Sequence, residues 1–166
     1  FSIFIFLTNS LLADELDEVL LTTDIYISYD YDAKSTMYES NSSIKISPAS
    51  LTKLMTALLL YETNSLSQQI TTKLPQNYEF AGKVAYLEEG LILTTEELLE
   101  LLLVYSANDA AYVAAMEISN SIQDFVNLMN LRANEIGMND TVYLNPDGLD
   151  ELGHQTTLND LLILSI

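Results

Sequence analysis

The sequence predicts an α+β fold in which an antiparallel sheet packs against a mostly helical region. Three observations lead there. An early stretch rich in β-branched and aromatic residues carries a polar break, helical periodicity dominates the remainder of the chain, and strands and helices do not alternate as a parallel sheet would require. With 166 residues and 49% hydrophobic content, the chain can bury one globular core.

The opening run, "FSIFIFLTNSLLADELDE", is apolar up to Ala13 and then turns acidic. It reads as the second half of a secretory leader, so residues 1–13 are expected to be a partial signal peptide and 14–166 the domain; a buried strand is the other reading. The chain starts without Met or a basic n-region and stops inside a helical pattern, which reads as a fragment of a longer protein. No later segment has the length of a membrane-spanning helix, because "LLELLLV" is interrupted by Glu100.

Residues 24–38, "DIYISYDYDAKSTMY", predict two antiparallel strands joined across Asp32 to Ser35. Apolar residues then recur at 51, 54, 55, 58 and 59, a helix with a broad buried face that Ala57 and Leu60 widen further. Residues 63–93 are loop-rich, with room for short strands. Thr94 and Glu97 form a capping-box signature for a helix through "EELLELLLVY" that ends near Ser106. A "SAND" turn leads into the helix "AAYVAAMEI". Ser121 caps the next one, whose apolar face runs through Ile122, Phe125, Val126, Met129, Ala133 and Ile136 to a stop at Gly137. "NPDG" at 145–148 is a turn, and Thr157 caps a last helix from Leu158.

Charge and composition exclude several functions. Against 24 Asp and Glu stand six basic residues, a formal charge of −18. Nucleic acid and anionic membrane surfaces require clustered Lys or Arg, so neither is an expected partner. The acidity itself reads as a solvated surface. Without cysteine there is no disulfide framework and no thiol nucleophile. One histidine, His154, and scattered acids make no metal-ligand set, and no cofactor is expected. His154 itself, within "GHQT", reads as a loop residue.

Chemistry is suggested by "SPASLTKLMTALLL", where Ser50 and Lys53 fall one turn apart at the start of an apolar helix. A serine hydroxyl becomes a nucleophile when a base takes its proton, and a lysine serves as that base when desolvation keeps it partly neutral. The same residues would also suit a helix cap and a snorkelling lysine. A second SxxK pair, Ser42 and Lys45, runs into Pro48 and has no helix to hold it. "SAND" adds Ser106 and Asn108, the one SxN in the chain, at a helix-to-helix turn where an ordinary capping turn is the plain alternative.

Taken together, "PASLTKLMTA", "EELLELLLVYSANDAA", "FVNLMNLRANEIGMNDTVYLNPDGL" and "TTLNDL" resemble, in order, the penicillin-binding D-alanyl-D-alanine carboxypeptidases, serine peptidases of the β-lactamase-like superfamily. The resemblance covers nearly everything after Ala13. It implies a β-lactamase/transpeptidase-like fold, with Ser50 the acylated nucleophile and Lys53 its proton acceptor. Ser106 would pass protons toward the leaving amine, while Asn108 would orient the substrate amide and help hold Lys53. The implied partners are peptidoglycan stem peptides and, as covalent inhibitors, β-lactams; the implied location is across the cytoplasmic membrane, periplasmic or extracytoplasmic. Peripheral membrane attachment would use a C-terminal tail beyond this chain. The family's KTG triplet is absent, which reads as truncation and leaves sheet and site incomplete in this fragment. Where class A β-lactamases carry a deacylating glutamate in an ExxLN segment, this chain has Thr141 in "TVYLN". That favours a carboxypeptidase over a β-lactamase. A DD-endopeptidase uses the same constellation, and a non-catalytic wall-binding protein is the reading if the chain has no KTG strand.

Overall fold

The computed structural model describes residues 22–76 and 80–166. The reading of 1–13 as a leader lies outside the described residues. Strands β1 (Tyr26–Asp30) and β2 (Ser35–Ser40) form the expected antiparallel hairpin. A 3-10 turn, Ala49–Leu51, leads into α1 (Thr52–Thr63). The loop-rich middle contributes β3 (Gln69–Thr71) and β4 (Ile92–Thr94), a second antiparallel pair. Helices α2 (Thr95–Glu100), α3 (Asn108–Ile118), α4 (Ile122–Ile136) and α5 (Leu158–Ser165) follow. The arrangement is α+β, and α5 touches β1. Among the described residues no helix is long and apolar enough to cross a membrane.

The helix boundaries follow local chemistry. Thr94 and Glu97 make both halves of a capping box, the Thr94 hydroxyl accepting from the Glu97 N–H while the Glu97 carboxylate accepts from the Thr94 N–H. Ser121 and Thr157 cap α4 and α5 in the same manner, accepting from the N–H groups of Asp124 and Asp160. Gly137 closes α4 in the left-handed conformation at φ 94°. The run after Glu100 departs from a plain α-helix. Residues Leu101–Tyr105 widen into a π turn that ends at Ser106.

Helix α1 divides the core. Ala57 and Leu60 pack with Leu98, Leu102 and the alanines of α3, whereas Met55 and Leu59 pack with Phe125, Met129 and Tyr143. A helix buried on nearly all sides cannot be amphipathic, and its remaining polar edge must find partners inside the protein. Thr52, Lys53 and Thr56 form that edge, and all three are buried.

Their partners come from the segment 144–154. The Thr56 hydroxyl donates to the Pro146 carbonyl at 2.7 Å, and Lys53 Nζ donates to the Asp147 carbonyl at 2.6 Å. Thr52 Oγ1 lies 2.8 Å from His154 Nε2. The expected turn at 145–148 is therefore also a docking surface for α1. Asn145 shapes it, accepting from the Gly148 N–H and donating to the Leu149 carbonyl. Gly148 has φ 84°, and a Cβ on it would stand 1.9 Å from the Ala49 carbonyl oxygen, so backbone meets backbone where only glycine fits.

His154 lies in a loop, as expected, but inside the protein rather than on its surface. It is 3% exposed, and its Nδ1 accepts from the Leu144 N–H at 3.1 Å. Nε2 must then carry the ring proton and donate it to Thr52, which fixes one neutral tautomer. Burial lowers its basicity, partly opposed by Glu151 and Asp150. The unfolded chain thus binds a proton at this ring more readily. The stability this difference carries is complete above the unfolded pKa of about 6.5 and is lost as pH falls below it.

Two outcomes are expected. Gly148→Ala combines a strained φ with overpacking and should cost about 2–4 kcal/mol, read as a lowered denaturation midpoint; an unchanged midpoint would show that the turn does not bear on the Ala49 backbone. Nitrogen-15 spectra of the single histidine should show the Nε2–H tautomer, with a titration midpoint below that of a free imidazole. A midpoint at or above the free value, or the Nδ1–H tautomer, would contradict the brace.

Candidate active site

Ser50 sits inside the 3-10 turn rather than at the helix cap, a position filled by Leu51 without any side-chain bond. Its side chain is exposed, and Lys53, one turn on, is 2% exposed. Lys53 neither snorkels nor forms an ion pair among the described residues. Its Nζ lies 3.4 Å from Ser50 Oγ and 2.6 Å from the Asp147 carbonyl. A solvent-facing hydroxyl is thus backed by a buried amine, which is the polarity a nucleophile and its base require.

Burial pushes the Lys53 amine below its ordinary range, and the Asp147 carboxyl pulls it partly back. The apolar surroundings of α1 produce the first effect. The second belongs to the same loop residue whose carbonyl holds the amine. Ala49, immediately before Ser50, has φ 47°, a left-handed conformation uncommon for a residue with a Cβ. The Gly148 contact clamps that backbone from outside.

The SxN turn lies beside α1, which packs against both the π turn and α3. Ser106 is half-buried and left-handed at φ 63°, where the π turn ends. Strain of this kind, of order 1–2 kcal/mol, persists where surrounding structure enforces it, as at functional turns. Asn108 starts α3 and is buried. Its amide donates to the Ala81 carbonyl at 2.6 Å, and its backbone N–H to the Lys83 carbonyl at 2.7 Å.

The hold on Lys53 expected of Asn108 is therefore not formed among the described residues. The loop at 81–83 closes over Asn108 and takes its amide first, with Gly82 so near that a Cβ would stand 2.9 Å from Nδ2. The Asp147 carbonyl takes the anchoring role instead. The structure joins Ser50 to Lys53 directly, while Ser106 and Asn108 line the neighbouring turn and, among the described residues, bond neither.

Three participants escaped the sequence reading. Asp147 and His154 act through α1, and Asp109 pins the adjoining loop by accepting from the N–H groups of Ala85 and Leu87, each at 2.9 Å. Asp109 carried a signal, an acid in the first turn of a helix. The other two lie about a hundred residues from their partners and carried none. Thr141 is buried, its hydroxyl donating to Asp160 and sharing a bond with Thr156, so it is engaged in holding 141–160 together. Among the described residues no group of acids and histidine could hold a metal ion.

Comparison with known proteins agrees with this architecture. The family model described as D-alanyl-D-alanine carboxypeptidase matches residues 14–166. The D-alanyl-D-alanine carboxypeptidase DacF of Bacillus subtilis is 34% identical over 139 residues, covering 81% of this chain and 36% of its own. The crystal structure of the D-alanyl-D-alanine carboxypeptidase DacD from Francisella tularensis superposes with a TM-score of 0.81 at 31% identity, over 89% of this chain and 37% of that one. Penicillin-binding protein D2 of Listeria monocytogenes, solved with ampicillin bound, gives a TM-score of 0.74 at 26% identity, over 89% and 62% of the two chains. The chain thus spans little more than a third of the length of the first curated relatives it matches. The fold is the β-lactamase/transpeptidase-like α+β arrangement that the motifs implied. On a family match covering 14–166, the chain belongs to the D-alanyl-D-alanine carboxypeptidase family.

Proposed function

We propose that this chain carries the nucleophilic half of a serine-type D-alanyl-D-alanine carboxypeptidase. The observation that supports the reading best is the exposed Ser50 hydroxyl 3.4 Å from a buried lysine amine. In the reaction, Ser50 Oγ attacks the carbonyl of the penultimate D-alanine of a peptidoglycan stem peptide, and its proton passes to Lys53. Ser106 relays a proton to the departing nitrogen, the terminal D-alanine leaves, and water hydrolyses the ester on Ser50. Asn108, whose Nδ2 is held by the Ala81 carbonyl, would orient the substrate amide through its remaining amide oxygen. The 3.4 Å separation is long for a hydrogen bond, as befits a resting site that tightens when substrate enters.

A β-lactam offers the same carbonyl in a strained ring and would acylate Ser50. The relative from Listeria, solved with ampicillin bound, supports β-lactam binding by this fold. Thr141 supplies no carboxylate for deacylation, so the adduct is expected to persist. The same constellation suits a DD-endopeptidase acting on crosslinks. Stem peptides of the wall place the reaction outside the cytoplasmic membrane, in keeping with the leader-like opening.

A fluorescent penicillin incubated with the full-length protein should leave a stable adduct that Ser50→Ala abolishes. Lys53→Gln should slow labelling at least a hundredfold, within the usual contribution of a general base. Labelling that survives Ser50→Ala would mean another nucleophile, and no labelling of a folded protein would favour a non-catalytic wall binder. Release of D-alanine from a pentapeptide, against cleavage of a crosslinked dimer, separates carboxypeptidase from endopeptidase.

A further inference from the structure

Asp147 contributes its main-chain carbonyl to the site, and its side chain is unaccounted for. The residue is 1% exposed. Oδ1 accepts from the Leu149 N–H at 3.2 Å, but Oδ2 is buried with no hydrogen-bond partner among the described residues. The turn does not need this carboxyl, because Asn145 already bonds Gly148 and Leu149 across it. A buried carboxyl oxygen without a partner is costly to keep, and such groups call for an explanation.

The explanation lies on α1. The amine bonded to this residue's carbonyl belongs to a lysine equally buried and lacking any ion pair among the described residues. We propose that Asp147 is a positioning residue for Lys53: its carbonyl fixes the amine in space, and its buried carboxylate, beyond ion-pair distance, supplies the countercharge that sets the lysine's protonation state. This deepens, and rests on, the reading of Lys53 as the base for Ser50.

Neighbouring charges are otherwise committed. On α3, Asp109 is bonded to the backbone of 85 and 87. Lys83, on the loop over the SxN turn, stands above the Tyr105 ring at 4.2 Å. Along the 144–154 segment, His154 is neutral against Thr52, with Asp150 and Glu151 acting on that ring. Burial favours the neutral form of both Lys53 and Asp147, and each one's charge draws the other back toward ionisation. With the carboxylate removed, burial acts on Lys53 unopposed. The amine then becomes neutral, and able to accept the Ser50 proton, at lower pH.

The test reads Lys53 directly. The chain has five lysines, since Arg132 is one of its six basic residues, so the 13Cε and 15Nζ signals of Lys53 can be assigned with Lys53→Arg. Asp147→Asn, which keeps an oxygen for the Leu149 N–H, should lower the Lys53 midpoint by about one pH unit, and Asp147→Glu should restore much of it. An unmoved or raised midpoint in Asp147→Asn overturns the proposal. Should that variant not fold, the wild-type 13Cγ signal of Asp147 decides: ionised where Lys53 titrates, it supports the pairing, and protonated throughout, it overturns it. The acidic limb of penicillin labelling should move down with the lysine midpoint in Asp147→Asn, and an unmoved limb counts against the proposal. If the wild-type protein is not labelled at all, the functional reading fails, while the lysine titration still decides the pairing.

Discussion

The seating of α1's polar edge on the 145–148 turn holds the candidate site together. Lys53 reaches the Asp147 carbonyl, Thr56 the Pro146 carbonyl, and Gly148 lies against the Ala49 backbone without a side chain between. The two hydrogen bonds join residues separated by 90 and 94 positions in the chain. They fix both ends of the Ser50–Lys53 pair, one through the amine and the other through the peptide that precedes the serine. The hydroxyl can remain exposed because its backbone is held from behind.

That seat answers an energetic problem created by the core. Helix α1 serves two apolar clusters at once, so it must be buried nearly all round. Burying its threonines and lysine without partners would cost roughly 1–3 kcal/mol for each neutral group and more for the charge. The turn's carbonyls and the His154 ring remove most of that penalty. They do not remove the penalty on the lysine's charge, since a carbonyl dipole replaces only part of its hydration. Lys53 is therefore held in place and yet kept weakly basic, which is the state a resting general base needs.

The elements were readable where their chemistry is local. Thr94 with Glu97, Ser121 with Asp124, and Gly137 each act within a turn of their own helix, and each stands where the sequence placed it. The turn at 145–148 was readable as a turn, because Asn145 and Gly148 interact with each other, but not as the support of α1. His154 was readable as a loop residue but not as a brace, because its bond to Thr52 depends on how the chain closes over 102 residues. Asn108 shows a third case. Its place in the turn leading into a helix was legible, yet its amide is taken by the 81–83 loop, in a stretch with little periodic pattern to read. The π turn after Glu100 likewise gave no signal, since leucines fit an α-helix and a π turn equally well.

The two SxxK pairs in this chain show what turns a spacing into chemistry. Ser42 and Lys45 share the spacing of Ser50 and Lys53, and both serines precede a lysine by three residues. Ser42 is buried and donates to Glu39, while Lys45 is half-exposed and pairs with Asp140 at 3.6 Å. Hydroxyl and amine there point to different partners, and the amine stands in solvent. In the second pair the exposures are reversed, with the hydroxyl outside and the amine inside. A nucleophile needs access to substrate and a base needs shelter from water, so the order of burial along the motif decides which pair can react. Pro48 enforces the difference. It ends the polar segment that carries the first pair and lets the 3-10 turn begin one residue later, so that the next lysine enters α1 and the core.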